Sequence, residues 1–281
     1  MNKVLQAALV SVLALTFSVS AQAKKGKNTE ITVISREESS GTRGAFDELM
    51  KVSDGKTNML FREAVIVSST DEVASKVEVD KRAIGYTSLG SITNKVKALS
   101  IDGVAATLDN IKNNSYKVSR PFVVAVEKSA SNPVAADFIK YVMSKEGQEI
   151  VAKRGYVTSG GTESYAASGK SGKLTLSGST SVERVIEQLR EGYVKLNPGV
   201  KVEINYNGSS AGIKDCLAQK SNIAMSSREL KADEKEKLEG HTFAIDAIAV
   251  IVNKDNTLNG ISSEMVTKIF KGEVRSWDNV K

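Results

Sequence analysis

Three turns rich in serine and glycine each follow a strand-like run and open a helix-like run. Such a turn can hold an oxyanion, because the first N–H groups of a helix lack intrahelical partners and carry partial positive charge. Serine and threonine hydroxyls add neutral donors, and small residues let a ligand approach the backbone closely. The three turns span residues 35–43, 177–181 and 207–212. Three in one chain favour an anion site more strongly than one would.

The N-terminus has the pattern of a secretory signal peptide. Lys3 precedes an apolar run over 7–19, and Ala21-Gln22-Ala23 has the small-x-small form of a cleavage site. The apolar run is too short to favour a membrane span. We therefore predict a signal peptide over 1–23, cleavage after Ala23, and a free protein exported to the periplasm.

The composition excludes several classes of function. The net charge of +6 is modest, and basic residues alternate with acidic ones, so no nucleic-acid footprint is expected. The length suits one large or two small domains. A single cysteine, Cys216, excludes an intramolecular disulfide, and we expect it to be a small buried apolar residue. With one histidine, His241, no metal cluster and no cofactor are predicted.

Strand-like and helix-like segments alternate, which predicts an α/β fold with mixed, mostly parallel sheets flanked by helices. Ligands of such sheets bind beyond the carboxyl ends of the strands, where the serine-rich turns lie. A stretch over 159–172, rich in glycine and serine, predicts a flexible linker. Strands are predicted at 30–35, 64–68, 83–86, 96–99, 121–127, 174–177, 201–206, 223–225 and 247–253, and helices at 44–52, 71–79, 107–113, 133–153, 182–196, 211–218, 231–238 and 263–271.

Two sets of motifs resemble the two halves of periplasmic phosphate-binding proteins, the soluble receptors of phosphate ABC importers. One set resembles their N-terminal half: Leu176–Ser181, Asn207–Ile213, Met225–Leu230, Ala249–Asn253, and Ile269–Gly272 with Trp277. The other resembles their C-terminal half: Ser35–Arg43, Ile84–Tyr86, Ser119–Pro121 and Phe138–Gly155.

The halves occur here in the reverse of the family's order, so we predict a circular permutant, natural or engineered. A fragment of a tandem duplication, cut within a repeat, is the alternative. The resemblance implies a two-domain type II clamshell with the anion in its cleft. Domain A would contain 26–115 and 254–281, and domain B would contain 118–252, with the linker joining the family's usual termini. The hinge segments would lie near Ser119–Phe122 and Val252–Lys254.

The resemblance also implies a set of phosphate ligands. Arg36 leads it, since a buried guanidinium offers paired donors to a tetrahedral anion; the alternative is a surface arginine paired with Glu37 or Glu38. For the serines and threonines the alternative is helix capping. The expected ligands are Arg36, Ser40, Gly41, Thr42, Thr180, Ser181, Ser209 and Ser227, with Ser179, Ser210 and Asp246 as further candidates.

One position departs from part of the family. Some members carry an aspartate that accepts a hydrogen bond from protonated phosphate and so rejects sulfate. This chain has Ser227 there. Our candidate for the acceptor is Asp246, and the alternative is that Asp246 is a solvated carboxylate at the end of a strand. Arg43 could be a surface residue or a charge behind the site, and Arg228 is expected to form a salt bridge rather than to bind the ligand.

The function implied by the resemblance is high-affinity binding of inorganic phosphate by a monomer that delivers it to the membrane permease of an ABC importer. It is not that of an enzyme. One alternative is a receptor for sulfate or another tetrahedral oxyanion. A second is a serine-dependent phosphatase-like enzyme, for which His241 is the one candidate histidine base.

Overall fold

The computed structural model describes residues 29–280. The predicted signal peptide and the first residues of predicted domain A lie outside this range. The strands are β1 (Thr32–Arg36), β2 (Val65–Val67), β3 (Ala83–Ser88), β4 (Val96–Ala98), β5 (Ser100–Ile101), β6 (Ser119–Glu127), β7 (Val157–Thr158), β8 (Gly172–Gly178), β9 (Val200–Tyr206), β10 (Ile223–Ser226), β11 (Leu238–Asn253) and β12 (Gly260–Ile261).

The α-helices are α1 (Gly41–Leu49), α2 (Thr70–Val79), α3 (Leu108–Lys112), α4 (Pro133–Met143), α5 (Lys145–Lys153), α6 (Glu183–Leu196), α7 (Ser209–Leu217), α8 (Ala232–Lys237) and α9 (Ser263–Phe270). Short 3-10 helices occupy Leu89–Ser91, Thr180–Val182 and Trp277–Asn279. Across residues 29–280, no helix is both long and apolar enough to cross a bilayer.

The sheet runs in the order β2-β1-β3-β11-β6-β10-β8-β9. At one end β1 is parallel to β2 and β3, and at the other β8 is parallel to β9 and β10. The long strand β11 joins these groups, since it is antiparallel to β3 at its end and to β6 over the rest of its length. The predicted α/β class is confirmed, with a mixed sheet.

The two largest hydrophobic clusters lie on the two sides of this junction. One includes Phe46, Tyr86 and Phe270, whose rings contact one another, and it extends to Val118 and to Ala247, Ile248, Val250 and Val252 of β11. The other includes Phe138 and Leu189 and ends at Ala244. We therefore call residues 29–118 with 247–280 lobe A, and residues 119–246 lobe B. Strand β11 crosses between the lobes near Asp246, earlier than the predicted crossing at Val252–Lys254.

Each predicted element has a counterpart, and two local expectations are corrected. The predicted helix 133–153 is divided at Ser144, whose Oγ accepts from the Gly147 N–H and caps α5. The predicted linker has no helix or strand before β8 but is anchored, because Tyr165 is buried and donates to Asp137 Oδ2 at 2.6 Å. Ser168 Oγ donates to the same oxygen at 2.7 Å, so residues 165–168 pack on lobe B.

Candidate functional site

Four strand-to-helix turns meet between the lobes. Lobe A contributes the turns that lead from β1 to α1 and from β2 to α2. Lobe B contributes the turn after β8, which becomes the 3-10 helix Thr180–Val182, and the turn from β9 to α7. Because β1 is parallel to β2 and β8 to β9, the carboxyl ends of each pair lie at one edge of the sheet. The N-termini of the helices that follow them therefore face the cleft.

A chain of buried hydroxyls crosses from one lobe to the other. Thr42 Oγ1 lies 2.6 Å from Ser181 Oγ, and Ser181 Oγ lies 2.9 Å from Thr70 Oγ1. Thr70 Oγ1 in turn lies 3.0 Å from Thr180 Oγ1. All four side chains are buried, so the cleft is closed around them. We call these four residues the hydroxyl chain.

A second group of hydroxyls lies within lobe B beside this chain. Ser179 Oγ donates to Ser227 Oγ at 2.8 Å, and the Ser227 N–H donates to Ser209 Oγ at 3.1 Å. Gly41 of lobe A lies directly against them. A Cβ at Gly41 would overlap Ser209 Oγ and come within 2.9 Å of Ser227 Oγ. We call Ser179, Ser209 and Ser227 the serine cluster; only a residue without a side chain fits at position 41 in the closed cleft.

Arg36 is buried and paired at the same time. One edge of its guanidinium donates to both carboxylate oxygens of Glu37, each at 2.8 Å, and the pair is 1% exposed at the arginine and 25% at the glutamate. Its Nη1 donates to Thr70 Oγ1 at 3.0 Å. Arg36 is therefore buried as predicted, and it pairs with Glu37 as in the alternative, although not at the surface. Its Nη1 faces the hydroxyl chain.

Two of the predicted serine ligands make other contacts. Ser40 Oγ accepts from the Arg43 N–H at 3.2 Å and so caps α1. Ser210 Oγ accepts from Arg228 Nη2 at 3.3 Å, while its N–H donates to the Ser39 carbonyl across the cleft. Ser40 and Ser210 thus border the cleft, but their hydroxyls contact neither the hydroxyl chain nor the serine cluster.

Asp246 does not contact the hydroxyls. Its Oδ1 accepts from Ser88 Oγ at 2.9 Å and its Oδ2 accepts from Arg120 at 3.2 Å and 3.3 Å. Burial raises the pKa of this carboxyl to about 6, against the opposing effect of the Arg120 charge. The sequence analysis proposed Asp246 as the acceptor for protonated phosphate. In the structure both of its carboxylate oxygens instead bond to Ser88 and Arg120, where the strands cross between the lobes.

Thr70 is a site residue that the sequence analysis missed. Its Oγ1 links Arg36 to two other side chains, Thr180 and Ser181. The helix that Thr70 begins, α2, is capped by Ser69. Residues 68–72, Ser-Ser-Thr-Asp-Glu, follow the predicted strand 64–68, so the strand, polar turn and helix were all visible. This turn lacks the glycine that marked the other three.

The smaller expectations have mixed outcomes. Cys216 is buried with its thiol toward the Ala125 and Asn222 carbonyls, and burial raises its pKa, as expected for an inert thiol. Arg228 forms the expected salt bridge, with Glu234. Thr180 does not cap α6, because Ser179 Oγ accepts from the Ser181 N–H and α6 begins only at Glu183.

Within residues 29–280, no group of three or more histidine, cysteine or acidic side chains is arranged to hold a metal ion.

Comparisons with known proteins identify the family to which the chain belongs. A family model described as a PBP superfamily domain matches residues 13–146 and 163–281. The phosphate-binding protein PstS 2 of Streptococcus agalactiae serotype V is 40% identical over 277 residues, covering 96% of this chain and 94% of that protein. PstS 2 of Streptococcus pneumoniae serotype 4 is 42% identical over 93% of this chain and 91% of its own length. The chain therefore belongs to the PBP superfamily and, within it, to the PstS family of phosphate-binding proteins.

A solved structure agrees with this membership. The crystal structure of a phosphate-binding protein of a phosphate ABC transporter from Streptococcus pneumoniae TIGR4 is 41% identical, with a TM-score of 0.73. The match covers 90% of this chain and 100% of that one. These matches extend over nearly the whole of each protein. That the two halves occur here in the reverse of the family's order stays a prediction.

Proposed function

We propose that this protein binds one inorganic phosphate ion between its lobes and delivers it to the permease of an ABC importer. The observation that carries the proposal is the meeting of the hydroxyl chain and the serine cluster at four helix N-termini from both lobes. Hydroxyls and backbone N–H groups at helix N-termini suit a tetrahedral oxyanion. The membership of the PstS family supports phosphate as that anion.

Binding would replace bonds between hydroxyls by bonds to the anion. In the closed cleft the hydroxyls of Thr42, Ser181 and Thr70 satisfy one another, and each would turn its proton toward a phosphate oxygen. Arg36 would supply the cationic donor through Nη1, with Glu37 fixing the plane of its guanidinium. The expected ligands Arg36, Gly41, Thr42, Thr180, Ser181, Ser209 and Ser227, with Ser179 and the added Thr70, then form one site.

We propose a receptor rather than an enzyme. Nucleophilic catalysis by a serine needs a base within hydrogen-bond reach of its hydroxyl. His241 lies on β11, with Nε2 3.4 Å from Glu239 Oε1, and no hydrogen bond among the described residues joins it to the hydroxyl chain or the serine cluster. The family membership supports a transport role. We further propose that the protein acts as a monomer after export to the periplasm, and that its lobes are domains that open and close on phosphate.

Phosphate and sulfate are distinguished by the proton that phosphate retains. Among the described residues no carboxylate hydrogen-bonds to the serine cluster, since Glu37 binds Arg36, and Asp246 binds Arg120 and Ser88. A serine hydroxyl can accept a hydrogen bond as well as donate one, so Ser227 can bond to either anion. A general receptor for tetrahedral oxyanions is therefore the second candidate function.

Calorimetry on the ligand-free protein, titrated with phosphate and separately with sulfate, tests this proposal. We expect one phosphate per chain, and Arg36→Ala to weaken its binding by about 2–5 kcal/mol, since a buried charge partner is removed. Arg82→Ala is the matched control, because Arg82 pairs with Asp80 on the outside of lobe A. Equal binding of sulfate would favour the second candidate. Folded wild-type protein that binds neither anion would overturn both.

A further inference from the structure

A buried ion pair bridges the two strands that cross between the lobes. Arg120 lies on β6 and Asp246 lies opposite it on β11 in the register of the sheet. Their side chains are 2% and 0% exposed. A buried ion pair contributes little net stability, because its attraction must offset the desolvation of two charges. The Arg120–Asp246 pair at the crossing therefore needs an explanation other than stabilisation alone.

The Arg120 guanidinium has a second partner in the site. Nε and Nη2 donate to Asp246 Oδ2, while Nη1 donates to the carbonyl oxygen of Ser227 at 3.1 Å. On the other side, Asp246 Oδ1 accepts from Ser88 at the end of β3 in lobe A. A continuous path of buried hydrogen bonds therefore runs from lobe A through Asp246 and Arg120 to the serine cluster.

The contact with Ser227 fixes the orientation of groups that face the cleft. The N–H of Ser227 donates to Ser209 Oγ, and its Oγ accepts from Ser179 Oγ. Its carbonyl oxygen is held by Arg120, so the residue is constrained at both ends of its backbone and at its side chain. The preceding residue, Ser226, closes the turn by bonding to the N–H and carbonyl of Arg228. Release of the carbonyl would leave the peptide after Ser227 held only through the Arg228 N–H, so the orientation of Ser227 would be less constrained.

We propose that Arg120, held by Asp246, is a positioning residue that keeps Ser227 oriented for phosphate and joins the site to the crossing strands. This role rests on the proposed function. Only an arginine meets the geometry, because its planar fork donates to the carboxylate and the carbonyl at once, whereas the ammonium group of lysine is a single point. Arg120 itself contacts no hydroxyl of the hydroxyl chain or the serine cluster among its hydrogen-bond partners.

Arg120→Lys separates a positioning role from a purely structural one. Lysine keeps the positive charge beside Asp246, so if Arg120 were only a counter-ion the variant would bind phosphate as the wild type does. A positioning role predicts at least about tenfold weaker phosphate binding by calorimetry, with one site retained, because one charge-assisted hydrogen bond to the Ser227 turn is lost. The melting temperature without phosphate reports any loss of folding independently.

Ser88→Ala is the control variant, and phosphate binding by the wild type tests the proposed function separately. Ser88→Ala removes a hydrogen bond to Asp246 but leaves Arg120 bonded to Ser227, so its phosphate affinity should remain within about twofold of the wild type. Unchanged phosphate affinity in a folded Arg120→Lys variant, or an equal loss in Ser88→Ala, would overturn the positioning role and leave the proposed function standing. Absence of phosphate binding by the wild type would instead overturn the proposed function, and this role with it.

Discussion

Thr42 and Ser181 are 139 residues apart in the sequence, yet their hydroxyls lie 2.6 Å apart across the cleft. Thr42 follows the first residue of α1 in lobe A, and Ser181 lies in the 3-10 turn after β8 in lobe B. Each is the kind of residue that would ordinarily cap its own helix. Their direct contact brings the N-terminal turns of the two helices together across the cleft, which supports the proposed site between the lobes.

Replacing Gly41 by alanine should prevent this approach. An added Cβ would overlap Ser209 Oγ and lie 2.8 Å from Ser209 Cβ, so the lobes would have to separate or Ser209 would have to move. We expect Gly41→Ala to weaken phosphate binding by about 5- to 150-fold, because a misfit of this size costs about 1–3 kcal/mol. Calorimetry measures the affinity, and small-angle scattering with saturating phosphate measures whether the cleft still closes.

Gly44→Ala is the matched control on the same helix. An added Cβ there meets Arg228 Cδ at 3.6 Å, an ordinary contact. Alanine within a helix is more stable than glycine by about 0.5–1 kcal/mol, so this variant should melt at a higher temperature and bind phosphate normally. Equal phosphate binding by both alanine variants would contradict the closed arrangement of Gly41 against Ser209.

Thr70→Val should reveal a phosphate ligand that lies outside the glycine-rich turns. Valine keeps the branched shape but loses the hydroxyl that meets Arg36, Thr180 and Ser181. The bound phosphate then lacks the hydroxyl donor of Thr70, so we expect phosphate binding to weaken by about 1–3 kcal/mol. The affinity is measured by calorimetry.

Thr87→Val is the control for removing a buried threonine hydroxyl outside the site. Thr87 is fully buried, and its Oγ1 has no hydrogen-bond partner among the described residues. Removing an unsatisfied hydroxyl should leave phosphate binding unchanged and should not lower the melting temperature. A Thr70→Val variant that behaved like Thr87→Val would show that Thr70 closes the cleft without binding the ligand.

Local patterns in the sequence predicted most of the fold and three of the turns that line the cleft. The turns after β1, β8 and β9 were recognised because glycine and serine stand where a strand ends and a helix begins. Thr70 was missed because its turn has hydroxyls but no glycine. The first part of β11 was missed because residues 238–246 have no alternating pattern, and pairing with β6 over Leu238–Ala247 makes them a strand.

Interactions between distant residues could not be predicted in this way. Asp246 was taken as an acceptor in the site, whereas its partner Arg120 is 126 residues away in sequence. The same limit applies to Tyr165, which lies in a stretch with the composition of a linker but donates to Asp137 of a neighbouring helix. Composition indicates how a segment behaves alone, and a single buried side chain is enough to fix it in the folded protein.

Arg184→Ala should have little effect on phosphate binding, although Arg184 forms a salt bridge across the mouth of the cleft. Its Nη2 lies 3.1 Å from Asp71 Oδ1, and both side chains are well exposed. Exposed pairs contribute about 0–1 kcal/mol and are screened by salt. We therefore expect phosphate affinity to fall less than about fivefold, and the difference from wild type to vanish in high concentrations of sodium chloride.

The control for Arg184 lies on the same helix. Arg190 has similar exposure and pairs with Glu187 within lobe B, so Arg190→Ala removes an equivalent charge without crossing the cleft. Calorimetry on both variants at low and high salt isolates the contribution of the bridge between the lobes. A loss of phosphate affinity in Arg184→Ala as large as that expected for Gly41→Ala would mean that the surface ion pair, rather than the buried hydroxyls, holds the cleft closed.

Asp47 should make the stability of the protein depend on pH in an unusual direction. Burial raises the pKa of its carboxyl to about 6, with the Arg43 charge opposing that shift, and Oδ1 has no hydrogen-bond partner among the described residues. The carboxyl of an unfolded chain has a pKa near 3.9, so between about pH 4 and pH 6 the folded state holds the proton more tightly. The contribution of Asp47 to the free energy of unfolding therefore falls as pH rises through this window.

Asp47→Asn removes that titration, so its free energy of unfolding relative to wild type should increase from pH 4 to pH 6, by at most about 3 kcal/mol. Urea denaturation at pH 4, 5, 6 and 7 measures the difference. Asp54→Asn is the control with the opposite sign. The Thr57 and Lys56 N–H groups lower the pKa of Asp54, so this variant should lose stability relative to wild type as pH rises to about 4, and the difference should stay constant from about pH 5 to pH 7. A pH-independent difference for Asp47→Asn would mean that Arg43 keeps the buried carboxylate ionised throughout the range.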